Sequence, residues 1–428
     1  MINQKKLSNG ITVVLETMPY LRSAAFGVWI KVGSSNENKA NNGISHIIEH
    51  MLFKGTAKRT AKQIADDMAR IGGDSNAYTS KECTSFYATT LDEHLPIAIE
   101  IIGDMLNNSL LDEKSLKKEK GVIIEEIDMY DDSPDDLVHE MLQMKVWDQH
   151  PLGFQISGTK ESVKAVTRQE IIDFMAQYYV SENMVISVAG NFIEEEILEQ
   201  LETHFSNIPK GLTQPDCSVP IYHPIIYTKK KDVEQLHLNI AFDSIVADAD
   251  EKYALTILNS VLGGSINSRL FQEIRENLGL TYSIYSYGSA FKQAGLLHIY
   301  GAMNPLQLDP VVQNIFEVIE DLKSNGLTED ELSMTKEQIK TELIMGNESA
   351  KNRMNSNGKS IMFKEFITPL EETISKVNEV TGDEIIAFAK KYLVKENCSF
   401  SLVGNLAKID KVKYLSKKIP QVDGRKNE

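Results

Sequence analysis

The apolar positions of this 428-residue chain follow two periods that alternate along its length. Alternation at Ile11-Thr12-Val13-Val14-Leu15 reads as a strand, and residues 10–32 together predict two strands. Residues 43–54 and 61–71 predict helices, residues 74–90 predict strands rich in Thr, Tyr and Phe, and residues 93–107, 112–131 and 167–179 predict further helices. An apolar strand over residues 183–190 ends at Gly190-Asn191. The second half repeats the alternation, with strands near 235–242, 281–288 and 295–302. Strands mixed with helix pairs predict an α+β fold: a mostly antiparallel sheet with helices packed on one face.

The halves match residue by residue. Leu111, Glu113, Leu116, Lys120, Ile123, Glu126, Met129 and Ser133 recur at an offset of 216 as Leu327, Glu329, Leu332, Lys336, Ile339, Glu342, Met345 and Ser349. EIIDFMAQYYVSENMVISVAGN, from Glu170, meets EIIAFAKKYLVKENCSFSLVGN, from Glu384, at an offset of 214. This period is too long for a solenoid and indicates duplication of a whole domain. The stretch Gly211–Pro220 has Gly, Ser and two Pro without periodicity, which is linker chemistry. The expected division is a first domain over 1–212, a linker over 213–230 and a homologous domain over 231–428.

Composition removes several classes of function. A formal net charge of −16 disfavours nucleic acid and an anionic membrane surface. No apolar run approaches the roughly 18 residues of a membrane span, and the N-terminus shows no apolar export segment. Cys83, Cys217 and Cys398 are odd in number and far apart, so they read as small buried side chains in a reducing compartment. A cytoplasmic location is expected.

The chemistry lies in Gly43-Ile-Ser-His46-Ile-Ile-Glu49-His50. On a helix, His46 and His50 share a face one turn apart and can hold one zinc ion. Glu49 projects near that face, within reach of a water whose pKa zinc would lower. This HxxEH order is the inverzincin pattern. Two imidazoles leave zinc short of a ligand, and the best source of a third is the segment Lys118–Ile127. There Glu119 and Glu126 stand seven residues apart on one helical face, with Val122, Ile123 and Ile127 as the apolar positions beside them. Glu125 is turned away. The motif taken alone leaves an alternative open, in which both histidines are satisfied core residues and the glutamates a solvated face.

At this point the sequence resembles the M16 metallopeptidase family, in particular the group of mitochondrial processing peptidase and bacterial processing-type proteases. That family carries HxxEH followed by a glutamate 76 residues beyond the second histidine, the spacing of His50 and Glu126. The resemblance implies His46, His50 and Glu126 as ligands of one zinc ion per chain. It implies Glu49 as general base and Glu119 as a second carboxylate supporting catalysis. GGDSNAYTSKECTSFY, from Gly72, is similar to the family's substrate-pairing strand, with Asn76 and Ala77 at contacting positions. IRENLGLTYS resembles the segment that supplies an Arg and a Tyr to the substrate, here Arg275 and Tyr282. The family's arrangement further implies a half-clamshell of two domains, and a homodimer enclosing a chamber in which peptides or unfolded segments are cut. The glycine-rich loop of the noncatalytic processing subunit is not found. The second half has Thr335 where the first has Glu119, and no histidine near 258–268, so it is expected to be inactive and to grip substrate. Two competing readings are a noncatalytic peptide-binding or structural subunit and a metal hydrolase acting on something other than peptides.

Overall fold

The computed structural model describes residues 2–211 and 218–406. Among these, the residues within Met1–Asp128, Phe154–Asp216 and Ile344–Thr368 form one compact unit, and those within Met129–Gly153, Cys217–Leu343 and Pro369–Glu428 form a second. Each unit therefore takes one segment from the other half of the sequence.

The first unit is built on strands β1 (Ile2–Lys6), β2 (Thr12–Thr17), β3 (Ser23–Ile30), β4 (Asp74–Thr79), β5 (Thr84–Leu91) and β6 (Met184–Gly190), in the order β1-β2-β6-β3-β5-β4. Only β2 and β6 run parallel. Side chains alternate across the sheet, so Phe26, Val28, Phe86, Ile186 and Val188 share one face. That face packs on helices Ile44–Leu52, Leu95–Asn108 and Glu113–Asp132 through Ile47, Ile48, Met51, Ile99, Ile102, Ile123 and Ile127. Each such side chain removed from water contributes roughly 1.5–3 kcal/mol before the entropy cost.

The opposite face is covered too, by a helix the sequence pattern did not place there. Val14, Ala25, Trp29, Val185 and Ala189 pack on Met354, Ile361 and Met362 of helix Ala350–Lys364. Arg353 Nε and Asn357 Nδ2 donate to Glu16 of β2 at 2.8 and 2.7 Å. Gly358 permits the close approach, since a Cβ there would stand 2.5 Å from the Trp29 ring.

The second unit holds β7 (Ile226–Lys230), β8 (Leu236–Ser244), β9 (Thr281–Ala290), β10 (Gly295–Met303) and β11 (Ser399–Gly404), in the order β7-β11-β8-β10-β9. Its only parallel pair is β7 with β11. This order repeats that of β2 to β6, so the duplication seen in the residues is also a duplication of topology. Helix Pro134–Val146 covers the second sheet with Leu137, Val138, Met141, Leu142 and Val146. The recurring pair Ser133 and Ser349 now has a physical role, because each hydroxyl caps one of the two exchanged helices, accepting from the backbone of Asp136 or Asn352 at 3.4 Å.

Two expectations need correction. The contiguous division into 1–212 and 231–428 does not hold, because residues 129–153 belong with the second unit and residues 344–368 with the first, where helices Pro134–Val146 and Ala350–Lys364 bury their apolar side chains. Residues 226–230, inside the segment read as a linker, form β7, because their backbone pairs with β11 from Phe400 to Gly404. Residues 213–217 of that segment lie outside the described residues, and Cys217 with them. Among the described residues, Cys83 and Cys398 are buried and form no disulfide. Among the described residues, no helix is long and apolar enough to cross a membrane.

Candidate metal centre

Helix Ile44–Leu52 starts at Gly43, whose φ of +93° suits glycine and whose missing Cβ would meet the Ser157 carbonyl oxygen at 2.7 Å. Ile44, Ile47, Ile48, Met51 and Leu52 bury one stripe of it. The remaining stripe carries His46, Glu49 and His50. The imidazole centroids of His46 and His50 are 4.6 Å apart, as one helical turn requires. Helix Glu113–Asp132 buries Leu116, Glu119, Ile123 and Ile127, which turns Glu126 toward the histidines. Val122, expected beside the core, is instead 51% exposed, because it lies one residue off that stripe.

The two helices bring three ligand atoms together. His46 Nε2 and His50 Nε2 each stand 3.8 Å from Glu126 Oε2. The ligand atoms of this trio lie within 4.8 Å of one another, and it is the only such His/Cys/Asp/Glu group among the described residues. A separation of 3.8 Å is too long for a hydrogen bond. Four ligands about 2.0–2.1 Å from one zinc ion are about 3.3 Å apart, so the spacing suits a shared cation. His46 is a neutral imidazole at ordinary pH: burial, then the charge of His50, pushes its pKa down to about 4. Its Nδ1 is buried without a partner among the described residues.

Glu119 lies behind His50. His50 Nδ1 donates to Glu119 Oε2 at 3.2 Å, and Lys54 Nζ approaches Glu119 Oε1 at 3.0 Å. A carboxylate on one ring nitrogen orients the other toward a metal and raises its basicity. Glu49 sits on the same helix but points to the end of β4, where Thr79 Oγ1 donates to its Oε2 at 2.5 Å. Burial raises the Glu49 pKa, against the lowering effect of that hydroxyl. Lys54 and Thr79 escaped the sequence reading. Lys54 had a signal, four residues beyond His50, whereas Thr79 is joined to Glu49 only by the packing of β4 on the helix.

Asn76 and Ala77 lie on β4, the outermost strand, which pairs only with β5 among the described residues. Ala77 faces the core opposite Phe86, and Asn76 is exposed on the other face opposite Tyr87. In the second unit, Arg275 lies on a π-helical turn, Phe271–Asn277, and Tyr282 on β9. The Arg275 guanidinium covers the rings of Phe271 at 4.4 Å and Tyr282 at 5.2 Å. Tyr282 is 78% exposed, so it is not a core aromatic.

Similarity to known proteins follows the same residues. A model of the insulinase group, peptidase family M16, matches residues 12–160, which include His46, Glu49, His50, Glu119 and Glu126. A second model, the peptidase M16 inactive domain, matches residues 165–339, which include Arg275 and Tyr282. The chain is 40% identical over 403 residues to the uncharacterized zinc protease YmxG of Bacillus subtilis, covering 94% of this chain and 98% of that one. The chain belongs to the M16 peptidase family. This M16 peptidase is also 33% identical to an uncharacterized zinc protease of Streptomyces coelicolor, over 95% of its own length and 90% of that relative. Its fold matches a protease from Helicobacter pylori with a TM-score of 0.87 at 21% identity, covering 94% and 99% of the two chains. It matches a peptidase M16 inactive domain from Pseudomonas fluorescens with the same TM-score, 0.87, at 20% identity, over 94% and 98%. Family and site geometry together make it a metallopeptidase.

Proposed function

We propose that this M16 peptidase is a zinc-dependent endopeptidase acting on peptides or unfolded segments, with one zinc ion per chain. His46, His50 and Glu126 hold the metal, and the observation that carries the reading is the meeting of both Nε2 atoms with Glu126 Oε2 at 3.8 Å. When bound, zinc supplies Lewis acidity to water and to a carbonyl group. Glu49 takes a proton from water and returns it to the leaving amine, a role suited to a carboxylate whose pKa burial has raised. Thr79 keeps one Glu49 oxygen engaged, which leaves the other to receive the proton. Substrate adds as a strand along the free edge of β4, past Asn76 and Ala77, through backbone hydrogen bonds. Arg275 and Tyr282 steady the substrate backbone and the scissile carbonyl. A homodimer enclosing the substrate, in a cytoplasmic setting, completes the proposal.

Cleavage of internally quenched peptides, with metal content measured alongside, tests this. Chelation abolishes cleavage and zinc restores it, while Glu49→Gln keeps the metal and slows cleavage by about 10²–10⁴-fold. Cleavage that survives both treatments, or a chain that binds no zinc, overturns the proposal.

A further inference from the structure

Glu37 is a carboxylate in a place that ordinarily expels one. It is 3% exposed, and no Lys, Arg or His of the described residues lies within ion-pair distance. Burying an unpaired charge costs several kcal/mol unless hydrogen bonds replace the lost water. Its partners are three N–H groups: Asn42 Nδ2 at 2.8 Å and Gly43 N at 2.7 Å donate to Oε2, and Ser45 N donates to Oε1 at 2.9 Å. Because all three donate, the anion is the form that fits, although burial raises the pKa of this carboxyl.

Gly43 and Ser45 open the helix that carries the metal ligands. A helix start leaves its first N–H groups without internal partners and bears partial positive charge. An Asp or Ser at the N-cap would satisfy them more cheaply. That solution is closed here, since a Cβ at Gly43 would strike Ser157 and Gly158. The cap comes instead from Glu37, six residues earlier. Each carboxylate oxygen takes one helix N–H, so the helix is gripped at two points around its axis, and His46 follows directly after Ser45. Asn42 ties the same corner to a third segment, donating to Gln155 O at 2.8 Å and accepting at its own carbonyl from Ser162 Oγ at 2.7 Å.

We propose that Glu37 is a positioning residue: its buried carboxylate fixes the rotation of helix Ile44–Leu52 and thereby the aim of His46, Glu49 and His50. The inference rests on the zinc-site reading above. A rotation of a nine-residue helix about its own axis moves all three side chains together, so metal affinity and turnover depend on the same two bonds. Substrate pairing with β4 does not.

Glu37→Gln tests it, because the amide keeps the size but replaces one acceptor by a donor facing an N–H. The measurements are zinc affinity by competition with a chromogenic chelator, kcat and KM on a quenched peptide, and thermal unfolding. The comparator is Asp104→Asn, another buried carboxylate of the same unit, bonded to Thr56, Arg59 and Asn108. The expected result for Glu37→Gln is zinc affinity lower by about tenfold or more, as for other residues that support ligands, with kcat lower by about tenfold and KM within about twofold. Glu37→Asp, which keeps the charge with a shorter reach, recovers part of both, and Asp104→Asn loses stability but keeps zinc affinity. Parent-like affinity and kcat in Glu37→Gln overturn the inference, as does an equal loss in Asp104→Asn. Should the Gln variant not fold, Glu37→Asp decides by the same thresholds; failure of both to fold makes Glu37 a folding residue and overturns the positioning role. A parent chain that binds no zinc sinks the site reading, and this inference with it; a parent that binds and cleaves beside a parent-like Glu37→Gln sinks this inference alone.

Discussion

His50 Nδ1 stands 3.2 Å from Glu119 Oε2, and this contact leaves the opposite ring nitrogen facing Glu126. Lys54 lies on the far side of Glu119, with its Nζ 3.0 Å from Oε1. The order Lys54–Glu119–His50 thus links a partly exposed cation to the candidate metal site.

Glu119→Gln is expected to weaken zinc binding by about 10–100-fold while the chain remains folded, read by chelator competition. Lys54→Ala is expected to have a smaller effect, since the Lys54 side chain is 33% exposed and solvent screens its charge. Parent-like affinity in Glu119→Gln would show that His50 is held by helix packing alone.

Gly358→Ala should destabilise the first unit. The new methyl would stand 2.5 Å from the Trp29 ring, and both groups are fixed, one by a sheet and the other by a helix held to Glu16. Overpacking of this kind costs about 1–3 kcal/mol. Urea unfolding measures it, and Trp29→Phe in the same chain should return part of the loss by making room. An unchanged midpoint would mean that helix Ala350–Lys364 shifts freely on the sheet.

Acid should weaken the second unit through His298. This residue is fully buried, stacked on Tyr287 at 4.5 Å, with Asn239 Oδ1 3.4 Å from its Nδ1. Burial, and then the charge of His139, pushes its pKa down to about 3. The unfolded chain titrates it near 6.5, so between about pH 6.5 and 3 the unfolded state binds a proton that the folded state refuses. Stability from this group is complete above about pH 6.5 and is lost progressively as pH falls. His298→Gln removes the proton, and the loss of unfolding free energy between pH 6 and 4 should become shallower by about 1.4 kcal/mol per pH unit. An unaltered slope would assign the acid sensitivity to other groups, with His139 and His237, both also lowered by burial, the first to be examined.

The site was readable where its parts share one helix. His46, Glu49 and His50 declare themselves because a period of 3.6 residues places them together whatever the rest of the chain does. Glu119 and Glu126 share a helix for the same reason, yet nothing in their own periodicity brings that helix to the histidines; the family spacing supplied the link. Thr79 and Glu37 act on this helix from a strand end and a loop. Their side chains are unremarkable in the sequence, since a Thr in a strand and a Glu before a turn have many uses, and only packing selects among them.

Local spacing along the chain settled what depends on neighbours a few residues apart: the two periods, the HxxEH face and the duplication itself. Folding in three dimensions settled which surfaces meet, because contacts between distant segments depend on the path of the backbone and leave no period to detect. That is why the exchange of helices Pro134–Val146 and Ala350–Lys364, the strand β7 inside an expected linker, and the buried Glu37 beneath helix Ile44–Leu52 appear only in the structure. A sequence can name the ligands of a cation; the distances that let them share one belong to the packing of two helices on a sheet.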